Sequence, residues 1–176
     1  MTTDTRPPHR PSTARPRTGA RVAAVQALFQ SEASGDTAET IIDQFVKHRL
    51  GADPAAHPDD GGFENGRVPE AHVPLFAAIV RGAAQRGDAV DAVILAHLAA
   101  GWPMHRLDPV LRAMFRAATA ELMSGTEPPA RVIIKEYMDI AHGFFGGEEP
   151  RFANGVLDAL ARHLRPAEFG LPASAG

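Results

Sequence analysis

At 176 residues, 44% hydrophobic and 22% charged, the chain has room for one domain around one buried core. It contains no cysteine, which excludes disulfides and thiolate metal sites. It nowhere approaches the roughly 18 consecutive apolar residues of a membrane-spanning helix.

The net charge of −3 hides an asymmetry. Residues 1–21 carry Arg6, Arg10, Arg15, Arg17 and Arg21 against one acid, Asp4, giving +4 there and −7 over the remainder. A basic arm on an acidic body suits a nucleic-acid partner, because arm cations displace counterions from phosphates; a solvated tail would look the same. Residues 1–19, rich in Pro, Thr and Arg, are expected to be disordered. No apolar signal stretch is present and four prolines disfavour an amphipathic targeting helix, so a cytoplasmic location is expected.

From Ala20 the apolar period becomes helical, with Val22, Val25, Leu28 and Phe29 on one face and Ser31–Gly35 as the stop. Asp36 with Glu39 has the spacing of a capping box and announces a helix bearing Ile41, Ile42, Phe45 and Val46. Residues 51–69, studded with Gly and Pro, read as a loop insertion. Further helical stripes follow at Val73–Val80 and at Val90–Leu98, the second capped by Asp88 and interrupted by Gly101-Trp102-Pro103. Leu107–Leu122 marks a long helix closed by Gly125. Ile133–Phe144 follows the Pro128-Pro129 pair, and Phe152–Leu164 forms the last stripe before Pro166. Nothing alternates like a strand. The expectation is an all-α bundle of about seven helices over residues 20–165, with 166–176 as a flexible tail.

The residues offer no catalytic constellation. None of the eight histidines falls in a zinc-protease spacing, and His97, on an apolar face, reads as a core or boundary histidine. Asp59-Asp60 and Glu148-Glu149 read as solvated pairs. Phosphate-binding loops, dinucleotide fingerprints and nucleophile elbows are absent, so neither an enzyme nor a cofactor or metal is expected.

Four segments are more specific. Ala20-Arg21-Val22-Ala23-Ala24-Val25-Gln26-Ala27-Leu28-Phe29, Val110–Leu122, Pro129–Glu136, and Ala141–Phe144 followed by Phe152-Ala153-Asn154-Gly155-Val156-Leu157-Asp158 resemble, in order and spacing, the motifs of the NusB family. The departures are a basic cluster broken by Pro16 and Thr18-Gly19, Phe29 for a tyrosine, Ala120 for an aromatic, Lys135 for an asparagine and Tyr137 for an alanine.

The resemblance implies a helical bundle of two small subdomains acting in transcription antitermination. It would bind single-stranded boxA-type RNA with the ribosomal protein NusE and join the elongation complex; a homodimer stays open. It implies phosphate contacts by Arg15, Arg17 and Arg21, and Phe29 as a stacking platform, although core packing with Val25 is an equal reading. Arg86 and Arg112 could extend the basic track, though such residues are more often solvated charges; Arg116 and Glu121 read as structural, each with a tertiary partner. The partner surface would lie around Glu148. Two other readings keep the fold: an accessory domain related to rRNA methyltransferases, whose catalytic part a chain ending at Gly176 is expected to lack, and a scaffold that binds protein only.

Overall fold

The computed structural model describes residues 15–50 and 70–173. The expected tail up to residue 14 and the insertion at 51–69 lie outside the described residues. Those described form seven α-helices and no β-strand: α1 (Arg15–Ser34), α2 (Ala38–His48), α3 (Val73–Gln85), α4 (Gly87–Ala96), α5 (Pro109–Met123), α6 (Ala130–Phe144) and α7 (Glu149–Leu164). Short 3-10 turns occupy Met104–Arg106 and Pro166–Phe169.

Helix α5 is the axis. It packs against α1, α3, α4, α6 and α7, while α1, α2 and α3 pack on one another. Asp108 starts it by accepting hydrogen bonds from the Val110 and Leu111 N–H groups at 2.8 and 3.3 Å, with Pro109 in the first turn, where its missing N–H costs nothing. Every residue from Leu111 to Leu122 is buried except the half-buried Arg116, as suits a helix enclosed on all sides.

Helix α1 begins at Arg15 rather than Ala20, and its first turn is held where the His72 N–H donates to the Pro16 carbonyl at 2.8 Å. Its buried face holds the expected Val22 and Val25 and extends beyond them. Ala20, Ala23, Ala24 and Ala27 are wholly buried, whereas Phe29 is 41% exposed. Small side chains set this orientation, because they let the axes of α3 and α5 come close. Gly35, at φ 77°, closes the helix by donating to the Ser31 carbonyl at 2.9 Å.

Two caps are corrected. Thr37, not Asp36, caps α2, accepting from the Thr40 N–H at 3.3 Å; Asp36 instead accepts from the Ser34 hydroxyl, and Glu39 reaches Arg81 of α3. Asp88 lies inside the first turn of α4, and Arg86, the residue before the helix, makes no side-chain capping bond. His97 ends α4 with its Nδ1 at 2.8 Å from the Val93 carbonyl and its ring against His163.

Residues 166–169 are also ordered against the body. Buried Arg165 donates to the carbonyls of Leu122, Pro128 and Glu121 at 2.9, 2.7 and 3.2 Å, and Glu168 accepts from the Ala130 N–H at 2.7 Å. One guanidinium thus satisfies the end of α5 and the turn leading to α6.

Glu32 near the end of α1 bridges Arg112 and Arg116 of α5, and Arg116 continues to Asp91 of α4 at 2.8 Å. The hydrogen bond from Arg112 leads the causes that hold the Glu32 carboxyl below its ordinary pKa. A depressed folded-state value stabilises the fold above the unfolded pKa, and this is lost as pH falls through the folded one. Denaturation midpoints should therefore drop as pH falls below the ordinary carboxylate range, and Glu32→Gln should flatten that drop. An equal acid response in both proteins would refute the bridge.

Candidate nucleic-acid interface

The structure redistributes the candidate cations. Arg21 is 2% exposed. Its Nε lies 3.1 and 3.0 Å from the two Glu121 carboxylate oxygens, its Nη2 lies 2.5 Å from Glu121 Oε1, and its Nη1 lies 3.3 Å from Glu136. Burial works against its charge, but the Glu121 hydrogen bonds and nearby negative charge more than compensate and raise its pKa. Tyr137, wholly buried, donates its hydroxyl to Glu121 at 3.0 Å, and Thr18 donates to Glu136 at 2.7 Å. Arg21 therefore ties α1 to α5 and α6 and is not placed to meet a phosphate. The alanine face that pulls α1 onto α5 also carries Arg21 inward.

Arg112 and Arg86 are corrected on the same ground. Arg112 is 9% exposed; besides Glu32 it donates to the Met104 and Leu107 carbonyls, both at 3.0 Å. Arg86 turns onto α5, donating to the Ala120 carbonyl at 3.0 Å, and its Nε is buried without a partner. Gly82 makes this approach possible, since a Cβ there would stand 2.8 Å from the Arg86 Nη2. Neither residue is a solvated charge on a basic track. Arg116 and Glu121 do find tertiary partners, Asp91 with Glu32 and Arg21 respectively.

Three of the remaining candidates, Arg17, Phe29 and Glu148, are exposed. Arg17 is exposed in the first turn of α1, Arg15 is the first residue of that helix, and Glu148 is exposed just before α7. Phe29 faces a groove of about 380 Å³ lined also by Gln26, Gln30, Arg49, Val110 and Phe144. A second stretch of about 380 Å³ continues past Thr18, Val22, Asp139, Ile140 and Gly143. Gln26 and Phe144 border both stretches, so a channel runs along the seam of α1 and α6.

Several of these residues escaped the sequence reading. Phe144 belongs to the apolar stripe of α6 yet, as the last residue of the helix, is 47% exposed. Arg49 lies over the Phe45 ring at 4.6 Å, and nothing in its local sequence marks it as part of the groove. Exposed aromatic rims, an arginine and two amides make a surface that can stack planar groups and neutralise a phosphate. Among the described residues no group of three or more His, Asp and Glu could hold a metal ion, and no helix is long and apolar enough to cross a membrane.

A sequence model of the NusB family matches residues 18–162. The chain belongs to that family. Among its NusB relatives, the protein named transcription antitermination protein NusB from Granulibacter bethesdensis is 57% identical over 155 residues, covering 88% of this chain and 93% of the relative. The one of the same name from Gluconobacter oxydans is 53% identical over 150 residues, covering 85% and 89%. A solved structure of T. maritima NusB superposes with a TM-score of 0.67 at 26% identity, covering 89% of this chain and 98% of that one. A solution structure of NusB from Aquifex aeolicus, at 23% identity, covers 86% and 89% with a TM-score of 0.61 and supports the fold.

Proposed function

We propose that this NusB-family chain serves transcription antitermination by holding a boxA-type single-stranded RNA on its α1 surface, together with the ribosomal protein NusE. The observation that carries the RNA reading is the groove itself. Phe29 and Phe144 present exposed rings on its rim, Arg49 lies within it, and Arg17 is exposed on the first turn of α1. Unpaired bases can stack on such rings while the guanidinium groups meet the backbone. Arg15 and Arg17 are assigned to phosphate contact. NusE is assigned to the exposed segment around Glu148, and the pair would then join the elongating polymerase.

With Arg21, Arg86 and Arg112 occupied inside the fold, the charge term is smaller than the arginine count suggests. Two or three neutralised phosphates of single-stranded RNA correspond to a log affinity against log salt slope of roughly −1.4 to −2.1. Phe29→Ala should weaken binding by about 1–3 kcal/mol, the worth of one base stacked on an aromatic ring. Both are measured by titrating labelled boxA RNA, with and without NusE, over a salt series. A flat salt response together with an indifferent Phe29→Ala variant would sink the RNA reading; retained NusE capture in that case would leave a protein-only scaffold.

A further inference from the structure

We propose that the seam between α4 and α7 binds one divalent, imidazole-preferring metal ion, zinc or copper, through His97 and His163. The site is independent of the RNA reading, because neither helix lines the groove.

The two rings lie in contact, with centroids 4.9 Å apart and planes inclined at 56°. Two imidazoles bound to one tetrahedral ion at roughly 2.0–2.1 Å have centroids about 5 Å apart, so the pair already stands at the required spacing. The inclination lets ring edges converge on a common point, as flat stacking would not.

His97 is set for this role by its other nitrogen. A carbonyl only accepts, so the Nδ1 at 2.8 Å from the Val93 oxygen carries the proton, and in the neutral ring Nε2 keeps its lone pair. A ring N–H held by a backbone carbonyl, with the second nitrogen left to a metal, is the usual outer-sphere arrangement at such sites. Among the described residues the His163 side chain forms no hydrogen bond or ion pair, and it is exposed, so its ring is free to turn.

Charge favours a cation here as well. His97 caps the C-terminus of α4 and His163 lies in the last turn of α7, so the negative ends of two helix dipoles come together at the pair. Arg162, beside His163, is neutralised by Asp158 at 2.8 Å. No spacing within the chain pairs these histidines; the packing of α4 on α7 does. With two protein ligands, water completes the coordination, and the ion is an exchangeable clamp between the helices.

The experiment adds zinc(II) or copper(II) to the full chain, with magnesium as a control. At a hundredfold excess over its dissociation constant, the bound ion should raise the melting temperature by about 5–10 °C, and magnesium, which prefers oxygen ligands, should not. Whichever of the two acts at the lower concentration is the ion the site takes. Paramagnetic resonance of the copper form should show one tight equivalent coupled to imidazole nitrogens. His163→Ala and His97→Gln should each weaken that equivalent by at least about tenfold, the smallest loss that removing even an outer-sphere partner brings. His105→Ala, at an exposed histidine of the Met104–Arg106 turn, should leave it unchanged. Melting curves of the metal-free variants check that they fold. A tight equivalent that survives either His97→Gln or His163→Ala places the ion elsewhere and overturns the pair. Weak binding spread over several histidines, with no rise in melting temperature, overturns the site.

Discussion

Glu121→Ala is expected to lower the free energy of unfolding by about 3–5 kcal/mol, the cost of leaving a buried charge without its partner. Arg21 is 2% exposed and directs three of its hydrogen bonds to that carboxylate. The Tyr137 hydroxyl loses its acceptor in the same substitution. The nearest remaining carboxylate, Glu136, touches Arg21 at 3.3 Å and also accepts from Thr18, so it is poorly placed to take over. At about 2–4 °C per kcal/mol for a chain of this size, the melting temperature should fall by about 6–20 °C. Glu121→Gln, which keeps an acceptor for Tyr137, should cost less. Combining Glu121→Ala with Arg21→Ala should cost less than the two single losses added together, because the partners are coupled. A loss under about 1 kcal/mol for Glu121→Ala would place the pair with exposed ion pairs and contradict its burial.

The second large effect concerns alkaline pH. Tyr137 is the chain's single tyrosine, so tyrosinate absorbance reports on this position alone. Burial, and then the negative charge of Glu121, push its pKa well above the ordinary value of 10.0, against an opposing pull from Arg21. The folded-state value is therefore higher than the unfolded one. The associated stability is fully present below pH 10 or so and is lost as pH rises through the folded value. Ionisation in the native protein should lag behind free tyrosine, and the tyrosinate signal should rise together with the loss of helicity. Tyr137→Phe should remove this component of alkaline unfolding, although it leaves one Glu121 lone pair unmet. A smooth titration near the free-tyrosine value with helicity intact would mean the hydroxyl reaches water.

The Arg21–Glu121–Tyr137 cluster shows where reading a sequence stops short. Arg21 follows an arginine-rich stretch and looks like the last member of a basic arm, yet it is the first residue after Ala20 to be drawn into the core. Helical phase alone could have hinted at this, since Arg21 shares its face with Val25 and Leu28. Its partners lie 100 and 115 positions away, and no local pattern pairs them. Tyr137, where the family pattern has alanine, gains its meaning only from the carboxylate it meets. At Phe29 two readings stood side by side, a stacking platform and core packing with Val25; the alanines beside it pack more closely, and the ring is left 41% exposed at the surface.

From the chain alone come the helical phase, the breaks at Gly35, Trp102-Pro103, Gly125 and Pro128-Pro129, and the four motifs that mark the family. These are local properties, set by backbone sterics, side-chain periodicity and residues close together in the chain. Which arginines remain available to a ligand was decided by packing, because a guanidinium is free or spent according to the carboxylates and carbonyls brought to it by other helices. The groove is likewise a tertiary product. Gln26, Phe29, Arg49 and Phe144 come from three helices and their ends, and only the seating of α1 on α5 and α6 sets them side by side.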